Sequence, residues 1–273
     1  MDSPPVLVTS EADGGAWRLD AYFDAPPKPI DLERLSALVP SAAGATPSLA
    51  TLADEDWLTL SQQGLEPIQA GRFYVHTPAH RDSIPPDSIA FEIDAGRAFG
   101  TGQHETTAGC LVALDRLKSS GLAISNLADI GTGTGLLAFA ALKLWPAARA
   151  IASDIDPVAI EVAAENAVIN RVRLGRARGQ CELAVAAGLD HLRLRARAPY
   201  DLVIANILAG PLIALAPAMA RALAPGGRLI LAGLLSRQAD AVAAAYARRG
   251  LRATGRIDRG EWPTLVLRRR RTA

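Results

Sequence analysis

The chain has 273 residues, which suits one large domain or a full domain with a smaller companion. Hydrophobic residues make up 49% of the sequence, so it supports a sizeable core and argues against wholesale disorder. The 29 basic and 28 acidic residues leave a net charge of +1, which excludes a global field that would attract nucleic acid or an anionic membrane.

Residues 1–70 predict a small α+β domain. Within it, residues 16–25 partly alternate like a strand, Asp31 is a candidate N-cap for the helical pattern that follows it, and residues 46–52 could pair as another strand. Residues 71–96 are rich in proline, and we expect them to run as an extended linker to the next domain.

From about residue 97, short apolar runs alternate with helical patterns. The predicted strands are 126–130, 149–155, 200–206 and 227–233. The predicted helices are 136–145, 157–170, 211–223 and 237–250. Two further strands flank a turn at Arg259–Gly260. This alternation predicts βαβ units and a mostly parallel sheet that is covered on both faces.

The charge-free segment 202–220 has the length of a membrane span, but Asn206, Gly210, Pro211 and Pro217 interrupt it. A lone span with these breaks would leave backbone groups unpaired in lipid. We therefore predict a buried strand, a loop and a core helix.

The location can be inferred from the cysteines and the N-terminus. Cys110 and Cys181 form neither a CxxC pair nor a disulfide framework, which is typical of a reducing compartment. The N-terminus has no basic segment followed by an apolar run, so we expect no signal peptide. These features predict a cytoplasmic protein without membrane association.

A glycine-rich turn, "DIGTGTG" at residues 129–135, connects a predicted strand to a helix. Glycines permit a tight turn and a close approach of a ligand, and the helix start offers free N–H groups to an anion. A phosphate-binding P-loop requires Lys and Ser or Thr where Leu136 and Leu137 stand. The dinucleotide fingerprint requires glycine at position 136, and Asp129 would repel a pyrophosphate. The turn therefore disfavours NAD and FAD.

S-adenosylmethionine fits this turn better, because it carries a cationic sulfonium and no phosphate. Asp129 can attract the cationic part, and the loop N–H groups can bind the carboxylate. Asp154 follows Gly131 by 23 residues, which matches the offset of about 20 at which an acidic residue binds the ribose in nucleotide-binding βαβ units. Asp156, the alternative, precedes Pro157 and is better explained as a helix N-cap.

The motifs "DIGTGTG", "SDIDP" and "NILAGPL" together resemble class I methyltransferases of the PrmA type, which methylate large-subunit ribosomal protein eleven. The segment "AFGTGQHETT" at residues 98–107 is similar to that family's own signature. The resemblance covers roughly residues 54–267. It implies an α/β, Rossmann-like, doubly wound fold with a mostly parallel seven-stranded sheet, an antiparallel C-terminal strand and a small N-terminal α+β domain.

The implied domains are a substrate-recognition domain over 1–70, the linker 71–96 and a methyltransferase domain over 97–273. The N-terminal domain of the family usually has two βα-type halves. Here the first strand and helix are missing from the predicted elements, so the domain is minimal or partial.

The resemblance also implies roles for individual residues. Thr107 would contact the methionine part of S-adenosylmethionine, Gly131 would pack against it, Asp154 would hold the ribose, and Asn206 would lie beside the reacting methyl group. We interpret residues 98–107 as a lid and not as a second ligand site. The predicted cofactor-binding residues are Phe99, Gly100, Thr107, Asp129, Gly131, Thr132, Gly133, Gly135, Asp154 and Asn206.

Asn206 is the predicted catalytic residue, because its side-chain oxygen could accept a hydrogen bond from an amine and orient the lone pair. Ile207 and Leu208 follow it where enzymes that stack a planar target carry prolines and an aromatic residue, so an aliphatic amine is the expected substrate. The family implies both α-amino and lysine ε-amino targets, with up to three methyl groups on one nitrogen. A lysine with a pKa near 10.4 is neutral only about 0.04% of the time at pH 7, so desolvation must lower its pKa.

Two alternative functions remain open at this point. One is a methyltransferase that acts on another protein lysine or on a small molecule, and the other is a non-catalytic cofactor-binding module in ribosome assembly. His104 is interpreted as a structural hydrogen-bonding residue, and His76, His80 and His191 lack metal-ligand spacing, so no metal is expected. We expect no stable nucleic-acid binding and a monomeric chain.

Overall fold

The computed structural model describes residues 6–12, 16–23, 26–38, 47–50, 66–93, 103–189 and 191–270. The chain divides into two compact units, residues 1–53 and residues 54–273. In the first unit, β1 (Val6–Ala12) pairs with β2 (Ala16–Tyr22) in antiparallel register, and helix α1 (Pro29–Leu38) follows.

The elements of this first unit differ from the sequence expectation in three places. The sequence patterns did not predict β1, which precedes the strand expected from residue 16. Asp31 is not the N-cap of α1, because the helix begins at Pro29 and the Asp31 carboxylate accepts a hydrogen bond from the Lys28 N–H at 3.0 Å. Residues 47–50, the described part of the strand predicted over 46–52, have no regular secondary structure.

The first described part of the second unit is a small sheet, two strands of which lie where the sequence predicts an extended connector. Its strands are β3 (Ile68–Ala70), β4 (Phe73–His76) and β5 (Ile89–Glu92). β3 and β4 are antiparallel, β4 and β5 are parallel, and a short 3-10 helix lies between β4 and β5. Phe73 and Phe91 are fully buried, so this segment has an apolar face that an exposed connector lacks.

The large sheet of this unit has seven strands. They are β6 (Asn126–Ile130), β7 (Arg149–Asp154), β8 (Cys181–Val185), β9 (Tyr200–Asn206), β10 (Leu223–Ala232), β11 (Leu251–Arg259) and β12 (Trp262–Arg269). Their order across the sheet is β11-β12-β10-β9-β6-β7-β8. The strands from β10 to β8 run parallel, whereas β12 is antiparallel to both of its neighbours. This confirms the predicted doubly wound sheet with an antiparallel C-terminal strand.

Six α-helices lie in the part of this unit that the structure describes. They are α2 (Gln103–Ser119), α3 (Leu136–Leu144), α4 (Pro157–Ile169), α5 (Leu192–Arg197), α6 (Ala209–Ala222) and α7 (Ala239–Ala247). Leu127 and Leu202 pack in one buried cluster with α2 and α3, whereas Ala128 and Val203 pack in a second cluster with α6 and α7. Because successive strand residues point to opposite faces, this alternation shows that both faces of the sheet are covered.

The segment 202–220 forms most of β9 and α6, as predicted. Within the residues that the structure describes, no helix combines the length and apolarity that crossing a membrane requires.

The small sheet is attached to two helices of the same unit. Arg72, in the turn between β3 and β4, donates a hydrogen bond to the Asp115 carboxylate on α2. The Glu92 N–H donates to the Asn170 side chain at 2.9 Å, and the Asn170 amide donates back to the Glu92 carbonyl at 2.7 Å. Asn170 is the C-cap of α4, so these two hydrogen bonds hold the end of β5 against that helix.

Candidate functional site

A cavity of about 610 Å³ lies where β6, β7 and β9 end. The strand order reverses at β6, which neighbours both β7 and β9. In open α/β sheets a ligand crevice forms outside the carboxyl ends of the strands at such a point. The volume falls within the range of about 300–1,000 Å³ that is typical of small-molecule sites.

The predicted glycine loop, Gly131–Gly135, forms one wall of this cavity. Gly131, Gly133 and Gly135 have φ values of +70°, +53° and +82°, a region that side-chain-bearing residues rarely adopt. The N–H groups of Gly131 and Thr132 both donate to the Ser153 carbonyl, at 2.8 and 2.9 Å. The loop is thereby fixed to the end of β7.

Two of these glycines are also required by close packing. A Cβ at Gly131 would collide with the Ile207 side chain, and a Cβ at Gly135 would lie 2.5 Å from the Phe139 ring. A Cβ at Gly133 would meet nothing within 4 Å, so Gly133 faces open space in the cavity. The loop therefore packs on its inner side and presents its backbone to a ligand on its outer side.

Asp129 lies beneath the loop and does not reach the cavity wall. It is 1% exposed, and one carboxylate oxygen accepts hydrogen bonds from the Thr132 hydroxyl at 2.7 Å and the Ala138 N–H at 3.2 Å. The other oxygen, Oδ1, is buried and has no hydrogen-bond partner among the described residues. Burial raises the pKa of Asp129 to about 7, although both hydrogen bonds act in the opposite direction. Asp129 thus fixes the loop to α3.

We expect this raised pKa to make stability fall with rising pH. Between the ordinary carboxyl pKa and about 7, the folded chain holds a proton on Asp129 that the unfolded chain releases. Linkage then predicts that the wild type loses about 2 kcal/mol of unfolding free energy from this group between about pH 5.5 and pH 8.

Urea unfolding at both pH values measures this loss, with Asp129→Asn as the matched control because the amide has the same shape and does not titrate. The wild type should show the steeper fall by about 2 kcal/mol. If the unfolding free energy changed equally in the two proteins between these pH values, the Asp129 carboxyl group would not titrate in this range.

Asp154 ends β7 and lines the cavity beside the loop. Its carboxylate accepts hydrogen bonds from the Gly133 N–H at 3.0 Å and the Asp156 N–H at 3.2 Å, so the side chain has a fixed orientation. Asp156 is the N-cap of α4, as predicted, since its side chain accepts from the Val158 N–H at 2.9 Å.

Asn206 and Thr107 meet at the wall of the same cavity. Asn206 is the last residue of β9, and Thr107 lies in the second turn of α2. The Asn206 amide nitrogen donates to the Thr107 hydroxyl at 3.4 Å, and both residues line the cavity. The side-chain oxygen of Asn206 is therefore the atom that can accept a hydrogen bond from a second ligand.

The structure brings most of the predicted site residues to one cavity. Those that line it are Thr107, Gly131, Thr132, Gly133, Asp154 and Asn206. Asp129 and Gly135 do not line it, because Asp129 is buried under the loop and Gly135 packs against Phe139. Phe99, Gly100 and the rest of the predicted lid over 98–102 lie outside the described residues, so the lid stays a prediction.

Sequence reasoning missed two glycines that pack against residues of the cavity wall. Gly233 has a φ of +82°, and a Cβ there would lie 2.5 Å from the Ile207 carbonyl oxygen. Gly188 has a φ of +77° and would meet Leu215 at 2.8 Å. Each glycine follows the end of an apolar strand pattern, and that position is the signal that could have identified it.

The site has no grouping typical of a metal centre. Among the residues that the structure describes, no cluster of three or more His, Cys, Asp or Glu side chains could hold a metal ion.

Comparison with known families connects this geometry to a group of enzymes. The family model described as ribosomal protein L11 methyltransferase (PrmA) matches residues 7–270. The chain belongs to this family. The match extends beyond the range of 54–267 over which the motifs carry the resemblance, and it includes most of the first unit.

Similar proteins agree with this assignment. A ribosomal protein L11 methyltransferase of Caulobacter sp. (strain K31) is 41% identical over 265 residues, which are 96% of this chain and 87% of the relative. One from Brucella suis (strain ATCC 23445 / NCTC 10510) is 42% identical over 271 residues, 98% of this chain and 90% of the relative.

A solved structure supports the fold as well. The ribosomal protein L11 methylase of Lactobacillus delbrueckii subsp. bulgaricus has 27% identity and a TM-score of 0.63, and the match covers 76% of this chain and 98% of that one. The second unit therefore has the class I methyltransferase fold, for which S-adenosylmethionine is the methyl donor.

The cavity fits this donor. The open side of Gly133 allows a ligand to approach the backbone, and Asp154 presents a carboxylate at the end of β7. Apolar side chains of Ile130, Ile155 and Leu215 line the remaining wall. A polar edge with an apolar wall suits a nucleoside that is joined to an amino-acid chain.

Proposed function

We propose that this PrmA-family chain transfers methyl groups from S-adenosylmethionine to ribosomal protein L11, at α-amino and lysine ε-amino nitrogens. The observation that carries the proposal is the Asn206–Thr107 pair at the end of β9, with 3.4 Å between the amide nitrogen and the hydroxyl oxygen, on the wall of the same cavity as the glycine loop. An oriented amide on this wall supports a role for Asn206 in orienting a nucleophile. The relatives' names supply the substrate.

The predicted cofactor contacts are assigned to separate parts of S-adenosylmethionine. Asp154 holds the ribose diol, because its carboxylate is already oriented by the N–H groups of Gly133 and Asp156. Gly131 of the glycine loop packs against the donor, and Thr107 contacts its methionine part. The bound donor supplies an electrophilic methyl carbon on a sulfonium.

Asn206 orients the incoming amine. With its amide nitrogen donating to Thr107, its oxygen accepts a hydrogen bond from the amine and directs the nitrogen lone pair at the methyl carbon. Transfer of the methyl group would form the N–C bond, break the C–S bond of the sulfonium and release S-adenosylhomocysteine as a neutral thioether. The methylated ammonium would then lose a proton to water. No side chain has to become covalently attached during this displacement.

The wall beside Asn206 favours aliphatic amines. Ile207, Leu208 and Pro211 line the cavity there, and none of them can stack on a planar base or amide. An apolar wall disfavours a charged ammonium, so it lowers the pKa of a bound lysine toward that of an α-amino group. The same wall therefore serves both nitrogen types.

The proposal is tested by intact-mass analysis of ribosomal proteins from cells with and without this enzyme. We expect L11 alone to lose mass in multiples of one methyl group in the deletion strain. Purified enzyme with labelled cofactor should then label unmodified L11. If L11 is unchanged and another ribosomal protein shifts, the substrate is that protein, and if nothing shifts, the non-catalytic alternative gains support.

We also propose a cytoplasmic location for the chain, since its proposed substrate is a ribosomal protein. The free cysteines Cys110 and Cys181 are both buried, which fits a reducing compartment. A monomeric state and the lack of stable nucleic-acid binding stay predictions from the sequence.

A further inference from the structure

Helix α2 carries Thr107 to the cavity, and its first turns contact the C-terminal β11–β12 hairpin. Gly109 on α2 packs directly against Thr264 on β12: a Cβ at Gly109 would collide with the Thr264 hydroxyl oxygen and lie 3.2 Å from the Thr264 Cβ. A second contact joins Glu105 to Arg259, with 3.9 Å between the charged atoms. The C-terminal hairpin thus contacts the helix that carries Thr107 to the cavity.

The Thr264 hydroxyl lies against Gly109 and has no polar partner in the described structure. Thr264 is fully buried, and its Oγ1 makes no hydrogen bond with any residue that the structure describes. The oxygen lies where a Cα hydrogen of Gly109 points, which is the arrangement of a weak Cα–H···O contact. Glycine is the least favourable helix-interior residue after proline, so close packing is the physical reason for Gly109.

The sheet register connects this contact to the site. Leu265 pairs with Leu231, and Ala232 pairs with Asn206, so the next antiparallel step places Thr264 opposite Ala232. Thr264, Ala232 and Asn206 therefore lie in one row across β12, β10 and β9. Helix α2 contacts both ends of this row, at Thr264 through Gly109 and at Asn206 through Thr107.

The two helix residues face opposite sides. Thr107 and Gly109 are two positions apart, which is about 200° around a helix of 3.6 residues per turn. A displacement of the helix away from Thr264 therefore moves Thr107 relative to Asn206 and the cavity. We propose that Gly109 and Thr264 are positioning residues that set the distance between Thr107 and Asn206.

This inference rests on the proposed function, because it assigns the pair a role in cofactor binding. Gly109→Ala should weaken the binding of S-adenosylhomocysteine about tenfold, since misplacement by about 1 Å has effects of that size or larger. Calorimetric titration measures the dissociation constant, and kcat and KM for S-adenosylmethionine are measured in parallel. The loss should fall mainly on KM, because Asn206 itself is unchanged.

Four further variants separate positioning from folding. The double variant Gly109→Ala with Thr264→Ala removes the colliding oxygen and should bind within about threefold of wild type, with Thr264→Ala alone as the reference for the cycle. Gly255→Ala on β11 is the control, because its Cβ would come no closer than 3.6 Å to Val266. If Gly109→Ala does not fold, Thr264→Val tests the same contact by placing a larger methyl group at the hydroxyl position.

Wild-type affinity in Gly109→Ala would overturn the inference. A double variant that unfolds at the wild-type denaturant midpoint and still binds S-adenosylhomocysteine about tenfold more weakly would also overturn it. If Gly109→Ala does not fold, unchanged affinity in Thr264→Val would overturn it. A wild-type protein that does not bind S-adenosylhomocysteine would instead contradict the proposed function.

Discussion

Gly131→Ala should lower kcat/KM for S-adenosylmethionine about a hundredfold. The residue has a φ of +70°, and an added Cβ would collide with Ile207. Since Gly131 and Thr132 both bond to Ser153, the loop cannot move away without breaking its attachment to β7. A shift of about 1 Å at a binding loop can cost about 10²-fold in rate.

Gly131→Ala should also lower the free energy of unfolding. A control substitution at Gly121 separates the contribution of backbone strain from that of overpacking. Gly121 has a similar φ of +76° and nothing within 4 Å of an added Cβ. Gly121→Ala should therefore cost only the left-handed strain of about 1–2 kcal/mol, whereas Gly131→Ala adds an overpacking cost of about 1–3 kcal/mol. Denaturant unfolding and steady-state kinetics measure both effects, and equal losses in the two variants would contradict the packing contact.

Asn206→Ala should lower kcat about 10²- to 10³-fold, because an oriented hydrogen-bonding group at a reacting centre has an effect of this size. Alanine removes both the oxygen that accepts from the amine and the nitrogen that donates to Thr107. Single-turnover methylation of L11 at saturating cofactor gives the chemical rate of the variant directly.

Cofactor affinity in Asn206→Ala is the internal control. The glycine loop and Asp154 remain in place, so the dissociation constant for S-adenosylhomocysteine should rise by no more than about tenfold, a tenth or less of the effect on turnover. A variant that binds cofactor normally and methylates L11 at the wild-type rate would show that Asn206 only terminates β9.

The parallel part of the fold was predictable because its signals are local. Strands such as 126–130 and 200–206 are uninterrupted apolar runs that end at a glycine turn or at Asn206, and they coincide with β6 and β9. The sequence did not predict β8 or α5. β8 contains the buried Glu182, and three of the six residues of α5 that lie between Leu192 and Arg197 are arginines.

The same charged residues that interrupt the apolar patterns of β8 and α5 stabilise these two elements. Glu182 accepts hydrogen bonds from Arg176 at 3.0 Å and from Arg193 at 2.8 Å, and Arg197 lies 3.6 Å from it. These pairs join β8 to the loop before it and to the helix after it, so they form only when those elements pack together, and no strand or helix pattern indicates them.

Candidate site residues were predictable where the neighbouring residues in the sequence alone indicate their chemistry. Asp154, Asn206, Gly131 and Gly133 were singled out in this way, and the structure brings them to one cavity. The direction in which a side chain points cannot be read from a segment, so the position of Asp129 under the loop was not predictable. Gly109 and Thr264 are far apart in sequence, and only the packing of α2 on β12 brings them together.

The border of the sheet at β8 is partly covered by the chain itself. β8 is an outermost strand, and such a strand can recruit a strand from another molecule and begin aggregation. Here the Cys181 N–H donates to the Arg173 carbonyl and the Gly175 N–H donates to the Cys181 carbonyl, so the start of β8 is already paired. These backbone bonds leave fewer free groups for an incoming strand, and they oppose edge-to-edge assembly of the folded protein.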